Sequence, residues 1–562
     1  MIVLGIHDGH NAGAALIKDG VVLAAISEER LVNIKNFFGP PLLSIKEVYR
    51  IAGIDPTATD LIAVGCLVRV GPPYADINWL GRLQVKLAPY LHSHLFARVY
   101  VKILHLYRET KNLKSLFNEL EIGTKPVIFV EHHLTHAATA YYQRPWADSA
   151  VILTLDGSGD GLSATVSVGE GLKIKRIAET TFYDSLSNNL FSEITGYLGM
   201  KRWEHEYKLM GLAPYGRDDG LITELKKIIS VNPQKPLEFK NTFNAYLYNV
   251  TAKLSKVLVG RRFDNIAWAT QKYFEELVCQ WVGNAISFTG INNVVAAGGS
   301  FLNVKANKVI REMPKLKKFF IYPAADDGGT PVGAALDTYV KFCSDKKIKP
   351  DIAPLKDLYY GAEYSDSTIE NALIKSKWKK KTTFLPGKIE RNIARLLAQG
   401  KIVARFSGRD EWGPRALGNR SILADPRNLK VVHKLNFAIK ERDFWMPFAA
   451  SILEPDAKYY LKNYHPSRYM IEAFDTTPKS DDIVAAIHPY DRTCRPQTVN
   501  SWNPGYAKII HEFKKITGVP VLLNTSFNLH GFPMVGSIEA AISAFANSGL
   551  DVLAAGNWII EK

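Results

Sequence analysis

Two segments of this chain repeat one plan of apolar and polar positions. Ile2-Val-Leu-Gly-Ile6 is an apolar run that gives way to the polar His7-Asp-Gly-His-Asn-Ala-Gly13 and resumes at Ala14-Ala-Leu-Ile17. Val151-Ile-Leu-Thr-Leu155, Asp156-Gly-Ser-Gly-Asp-Gly161 and Leu162-Ser-Ala-Thr-Val-Ser-Val168 follow the same order. Apolar, β-branched runs around a glycine-rich turn predict hairpins, and such a turn lets backbone N–H groups approach an anion. A third element, the apolar Val294-Val-Ala-Ala297, runs into Gly298-Gly-Ser300 and a helical Phe301-Leu-Asn-Val-Lys-Ala-Asn307, which places a phosphate or ribose at a helix N-terminus. Later, Ile389-Glu-Arg-Asn-Ile-Ala-Arg-Leu-Leu-Ala398 has helical periodicity and Lys401-Ile-Val-Ala-Arg-Phe406 reads as a strand. Tyr506-Ala-Lys-Ile-Ile-His-Glu-Phe-Lys-Lys515 reads as a helix, and Pro520-Val-Leu-Leu523 as a buried strand feeding Asn524-Thr-Ser-Phe-Asn528.

The repeated hairpin is the ground plan of actin-like ATPase domains. The polar stretch Ser344-Asp-Lys-Lys-Ile-Lys-Pro-Asp-Ile-Ala-Pro354 reads as a connection. The expected organisation is therefore a first domain over 1–345, a linker over 346–355 and a second α/β domain over 356–562. A chain of 562 residues is long enough for at least two cores. With 47% apolar and 22% charged residues it has the composition of a folded globular protein. No uninterrupted apolar run is long enough for a transmembrane segment. The N-terminus reads as a strand and not a secretory leader, so a cytoplasmic location is expected. The four cysteines lack the spacing of a zinc knuckle or redox pair. A net charge of +15 favours polyanionic partners without choosing among them, and the densest basic run, Lys375-Ser-Lys-Trp-Lys-Lys-Lys381, reads as solvated surface.

The candidate chemistry falls into two sets. His132 and His136 are one helical turn apart and share a face, with His133 rotated away. Asp156 and Asp327 can add carboxylate oxygens, giving a mixed site suited to iron(II), manganese or zinc. In the last third of the chain, Arg409, Arg415, Arg420, Lys440, Arg442 and Arg495 gather among glycines, prolines and small polar residues. Arginine forks match phosphate oxygens, and the missing aromatic interleaving favours a small-molecule polyphosphate pocket over a nucleic-acid groove. A base poised near neutrality suits proton removal from a hydroxyl, and His10 in the first turn is the candidate.

On these motifs, with Ser27-Glu-Glu-Arg30, Glu206-Tyr-Lys-Leu-Met-Gly-Leu-Ala-Pro-Tyr-Gly216 and Gln497-Thr-Val499, the chain resembles the O-carbamoyltransferases of antibiotic and nodulation-factor biosynthesis. The resemblance implies an α/β protein with an actin-like (ribonuclease H-like duplicated) N-terminal domain followed by a YrdC-like α/β C-terminal domain. It implies a two-step reaction. Carbamoyl phosphate and ATP, the latter with Mg2+, give carbamoyl adenylate, phosphate and pyrophosphate in the second domain, and a small hydroxyl-bearing acceptor, a natural product or sugar, then takes the carbamoyl group. Lys440, Arg442, Ser526 and Asn528 would hold ATP, and Arg415, Arg420 and Arg495 the carbamoyl phosphate. Gly298, Gly299 and Asn303 would lie near the adenosine of the adenylate in the first domain, beside the metal of His132, His136, Asp156 and Asp327, with iron(II) favoured by the resemblance alone. Glu206 and Lys208 would line the same chamber as His10.

Asn11, His205 and Phe532 depart from the usual pattern and bear on the acceptor more than on the reaction. A threonylcarbamoyl-type tRNA-modifying enzyme, a hydrogenase-maturation carbamoyltransferase and a non-catalytic nucleotide-dependent scaffold stand as alternatives. No nucleic acid partner is expected, and homodimerisation is left open. The basic, aromatic segment 78–108 reads as a helical cover, and Trp79, Tyr90 or His94 in it are candidates for one wall of the acceptor pocket.

Overall fold

The computed structural model describes residues 1–69, 94–108, 117, 120, 122–123, 125–246 and 248–562. Trp79 and Tyr90, and the side chain of His94, lie outside the described residues.

Both expected hairpins are present, and each opens a five-stranded sheet. In the first, β1 (Ile2–His7), β2 (Gly13–Lys18) and β3 (Val21–Ser27) form an antiparallel meander, and β4 (Leu61–Val64) and β5 (Val127–Phe129) add in parallel beyond β1. In the second, β6 (Ala150–Gly159), β7 (Leu162–Glu170) and β8 (Lys173–Thr181) form the meander. A two-stranded ribbon of β9 (Ile229–Val231) and β10 (Phe239–Asn241) intervenes, and β11 (Asn293–Ala297) and β12 (Lys318–Ile321) then add in parallel beyond β6. The orders β3-β2-β1-β4-β5 and β8-β7-β6-β11-β12 are one topology used twice. The fold is mixed α/β. The central strands carry continuous apolar runs because helices cover them.

Each repeat is followed by a helix, His132–Tyr142 after β5 and Thr330–Asp345 after β12. The first is buried on nearly every side, as expected for a helix wedged between layers. Its small residues, Thr135, Ala138 and Thr139, let the second come very close. A Cβ on Gly333 would lie 2.0 Å from the carbonyl oxygen of Thr135.

The compact units depart from the expected boundaries in two places. One unit comprises Met1–Glu28 and Phe37–Leu355, so residues 346–355, expected as a linker, count with the first unit. The other comprises Glu29–Asn36 and Lys356–Lys562, so an early piece of chain counts with the second. The second unit is built on an eight-stranded mixed sheet. Its strands are β13 (Thr382–Phe384), β14 (Val403–Phe406), β15 (Arg420–Ala424), β16 (Ala449–Leu453), β17 (Pro496–Val499), β18 (Val521–Ser526), β19 (Val552–Ala555) and β20 (Trp558–Glu561), in the order β13-β20-β19-β14-β15-β18-β16-β17. The predicted helices appear as Ile389–Ala398 and Pro504–Thr517. Among the described residues no helix is long and apolar enough to cross a membrane.

Two local expectations change. The strand β6 runs on through Gly159, so the glycine-rich turn shrinks to Asp160-Gly161 with both residues at positive φ, as a two-residue hairpin turn requires. The helix after Gly298-Gly299 begins at Val304 instead of Phe301, because Asn303 caps it by accepting from the Ala306 amide at 3.0 Å.

Gly333→Ala is expected to destabilise the first unit by about 1–3 kcal/mol, since the obstructing atom is backbone and cannot rotate away. Chemical denaturation checks this as a lowered midpoint at an unchanged slope.

Candidate functional site

In the first unit the described residues bring His132, His136, Asp156 and Asp327 together, with one ligand atom from each lying within 4.8 Å of all the others. The two imidazole Nε2 atoms are 3.1 Å apart. His132 Nε2 is 3.2 Å from Asp156 Oδ2 and 3.5 Å from Asp327 Oδ1, and His136 Nε2 is 3.8 and 3.5 Å from the same oxygens. The helix places the histidines, the β6 end places Asp156 and the short turn Asp327–Gly329 places Asp327.

The surrounding backbone fixes this geometry. Glu131 caps the helix by accepting from the His133 and Leu134 amides at 3.0 and 2.8 Å. Asp160 accepts from the amides of His132, Leu67 and Val68, each at 2.8 Å. The Gly299 amide donates to Asp156 Oδ1 at 3.0 Å, leaving Oδ2 toward the histidines. Gly298 is required at this turn. Its φ is +105°, and a Cβ there would lie 2.3 Å from the carbonyl oxygen of Leu155.

Burial opposes charge on His132, but Asp327, Asp156 and Asp160 outweigh it and hold its pKa up at about 10. The two aspartates move the other way: burial is overcome by the neighbouring histidines, and both carboxyls are held below their usual value. His133, beside them but turned to Thr154 Oγ1 at 2.8 Å, is driven down to about 3 by burial and by His132 and His136. The quartet thus demands positive charge at its centre. Asp327 Oδ1 is buried and has no hydrogen-bond partner, so the donor set of two imidazoles and two carboxylates fits a divalent ion such as iron(II), manganese or zinc.

Other predicted residues of this unit are placed differently. His10 is half-buried in the β1–β2 turn, whose Asn11 donates to Asp326 Oδ2 at 3.3 Å, next to Asp327. Glu206 accepts from Ser192 Oγ at 2.5 Å and the Trp203 amide at 2.6 Å, contacts that brace a turn, and burial raises its pKa. Neither partner belongs to the quartet, so the placement of Glu206 is that of a brace, and a chamber shared with His10 does not follow from it. Lys208 lies half-buried on the same helix, Glu206–Leu212. Asn303 exchanges two amide hydrogen bonds with Gln271, at 2.9 and 3.0 Å, in addition to its cap. Gly298, Gly299 and Asn303 thus serve the turn, Asp156 and the cap. Two groups were missed in the sequence, the half-buried Asp160 and the buried His7. His7 ends β1 with Nδ1 3.1 Å from the Gly65 carbonyl oxygen, Nε2 buried without a partner, and Asp327 and His132 among the charges acting on it. The polar end of an apolar strand was the available signal for His7.

In the second unit the cations divide into two classes. Arg420 is fully buried on β15, and its Nη atoms donate to the carbonyls of Ser407, Gly408, Asn419 and Ala362 at 3.0–3.2 Å while the guanidinium lies over Phe406. Arg409 likewise donates to the carbonyls of Gly361 and Tyr360. These two brace loops, and Arg420, expected at the carbamoyl phosphate, is placed fully buried among backbone carbonyls. Lys440, Ser526 and Asn528 do assemble. Lys440 Nζ meets the Ser526 carbonyl, Ser526 Oγ at 3.2 Å and Asn528 Oδ1 at 2.7 Å, and Ser526 Oγ donates to Asn528 Oδ1 at 2.6 Å. Burial, then Arg442 and Lys35, push the Lys440 pKa well below the lysine range. Burial, then Arg415 and Arg442, act on Arg495 in the same way. Cations that destabilise one another's charge at a strand end form a site that gains from a polyanion.

The model of the carbamoyltransferase N-terminus matches residues 2–336, and that of the carbamoyltransferase C-terminus matches residues 394–562. The chain belongs to the carbamoyltransferase family. This carbamoyltransferase is 31% identical to nodulation protein NolNO of Sinorhizobium fredii, over 98% of this chain and 79% of that protein. It is 30% identical to nodulation protein NolO of Bradyrhizobium diazoefficiens, over 77% of this chain and 79% of that one. Among solved structures, full-length HypF in a phosphate- and nucleotide-bound form aligns with a TM-score of 0.34 and 12% identity, over 62% of this chain and 47% of that chain.

Anaerobically purified carbamoyltransferase is expected to carry about one divalent ion per chain, and the double variant His132→Ala/His136→Ala to lose it. Elemental analysis of the two proteins side by side decides the point, and equal metal content would remove the assignment.

Proposed function

We propose that this enzyme is an ATP-dependent O-carbamoyltransferase with an actin-like first unit and a YrdC-like second unit. The repeated sheet order supports the first half of that description, and the Lys440, Ser526 and Asn528 cluster the second. The observation that carries the reading is the group of Lys440, Arg442, Arg415 and Arg495, whose charges repel one another and are relieved by a polyphosphate.

In the first half-reaction carbamoyl phosphate, water and ATP give carbamoyl adenylate, phosphate and pyrophosphate. Lys440, Arg442, Ser526 and Asn528 hold ATP, which enters with Mg2+, and Arg415 and Arg495 hold the carbamoyl phosphate. Fixed cations around the transferring groups stabilise the charge that develops on the departing pyrophosphate. In the second half-reaction an acceptor hydroxyl attacks the carbamoyl carbon, the bond to the AMP oxygen breaks, and AMP leaves. His10 takes the hydroxyl proton. His132, His136, Asp156 and Asp327 hold a divalent ion, which when bound supplies Lewis-acid polarisation of a carbonyl or phosphate oxygen. The acceptor is a small hydroxyl-bearing molecule, a sugar or natural product.

Lys440→Ala or Arg442→Ala is expected to abolish carbamoyl-phosphate-dependent pyrophosphate release, whereas His136→Ala leaves that release largely intact and stops transfer to the acceptor. Absence of release from the unsubstituted enzyme, or equal loss of both half-reactions in a folded His136→Ala, overturns the reading. A scaffold would release none.

The depressed pKa of Lys440 has a signed consequence. Between its folded value and the ordinary lysine value of about 10.5, the unfolded chain holds the extra proton, so this group adds stability as pH rises through that window. An arriving polyanion restores the ammonium, so polyphosphate binding at about pH 9 is expected to take up protons. Calorimetry in buffers of different ionisation enthalpy measures the uptake, which Lys440→Met should remove.

A further inference from the structure

Arg30 belongs by sequence to the start of the chain and by structure to the second unit, where it lies in the segment Glu29–Asn36. Its side chain is 3% exposed and its partner Asp410 0%. Nη1 donates to Asp410 Oδ1 at 2.7 Å and to the Glu411 carbonyl, and Nη2 donates to the Gly413 carbonyl at 2.6 Å. One guanidinium thus holds three points along residues 410–413. A close approach seats its own backbone, since a Cβ on Gly536 would lie 2.6 Å from the Arg30 carbonyl oxygen.

The far side of the same loop is held by a second buried charge. Glu411 Oε1 accepts from the amides of Leu417, Asn419 and Arg420 at 2.8, 2.7 and 3.2 Å. Between the two clamps stand Gly413 at φ +94°, the exposed Pro414 and the half-buried Arg415. Arg415 is one of the charges acting on Arg495, and Lys35, on the segment that Arg30 anchors, is one of those acting on Lys440. The early segment therefore both braces the loop and brings a cation to the same anion site.

We propose that Arg30 is the positioning residue for Arg415, setting the 410–415 loop so that Arg415 meets the anionic substrate of the second unit. The identity of that substrate rests on the carbamoyl-adenylate reading, and its negative charge does not. Arg30→Lys keeps a cation against buried Asp410, so the pair is not broken, but one ammonium nitrogen cannot occupy both Nη positions, from which Arg30 reaches Asp410 and Glu411 by one and Gly413 by the other.

Three readouts are compared in the full-length protein. Arg30→Lys should keep its melting temperature within a few degrees, while hydrogen exchange of the 417, 419 and 420 amides becomes faster. Its affinity for tripolyphosphate, measured by calorimetry, should fall about tenfold, the scale of one or two lost hydrogen bonds. In pyrophosphate release the KM for carbamoyl phosphate should rise by a similar factor, with kcat within about threefold of the unsubstituted enzyme. Arg415→Lys should weaken tripolyphosphate equally without changing the exchange, and the double variant Arg30→Gln/Asp410→Asn, which removes both buried charges, serves if the lysine variant does not fold. Unchanged tripolyphosphate affinity in Arg30→Lys, or unchanged exchange of the loop amides, overturns the proposal. If the unsubstituted enzyme releases no pyrophosphate, the functional reading falls, and tripolyphosphate binding with hydrogen exchange still decides the role of Arg30.

Discussion

A carboxylate drawn out of water must find donors, and in this protein the need is met by backbone amides from separate pieces of chain. Asp160, at the tip of the β6–β7 hairpin, draws in the amides of Leu67, Val68 and His132. That convergence ties the loop after β4, the hairpin turn and the first turn of the histidine helix into one rigid corner. The quartet depends on it, because a helix that could slide by a fraction of a turn would carry His132 and His136 away from Asp156 and Asp327. Charge alone would not hold the helix there, since Asp160 is pushed toward its neutral form by burial and by Glu131. The hydrogen bonds hold the corner by geometry.

The second unit solves a related problem with the same device. Glu411 gathers three amides of the loop that carries Arg415, and Arg30 reads three acceptors on the other side. Asp410 and Glu411 are neighbours, so burial and mutual repulsion raise the Glu411 pKa, and Arg30 and Arg420 offset that cost. Buried ion pairs add little net stability once desolvation is counted, but they are specific about geometry. A loop that must present a cation to a small anion benefits from that specificity.

The arginines show how one residue type serves two ends. Where carbonyls surround the guanidinium, as at Arg420, Arg409 and Arg405, its Nη donors are taken up by backbone carbonyls and it acts as a rivet between loops. Where burial and neighbouring cations oppose the charge, as at Arg495 beside Arg415 and Arg442, the charge costs stability and is a source of affinity for an anion. A preorganised cation site costs stability until its anion arrives.

The residues that gather at each site were legible in the chain because their spacing is local or their type is rare in a core. His132 and His136 share a helical face by period alone, and the repeated strand-turn-strand pattern foretold the paired sheets. Asn524 to Asn528 was read at the end of a strand, and β18 runs into that motif. What could not be read was which polar group would meet which. Arg420 and Arg415 look equivalent in a run of glycines and cations, and only the fold decides that one lies over Phe406 among carbonyls while the other is half-buried and acts on Arg495. Asp160 was hidden inside a motif read as an anion cradle, whereas its carboxylate is held by amides of His132, Leu67 and Val68, outside that motif. Arg30 stands in the first tenth of the chain, and no local period could assign it to a unit made otherwise of residues beyond 355. Hydrophobic periodicity reports the face a residue takes within its own element. The partner of a buried charge is set by segments brought together from far apart, so that choice was left to the tertiary structure.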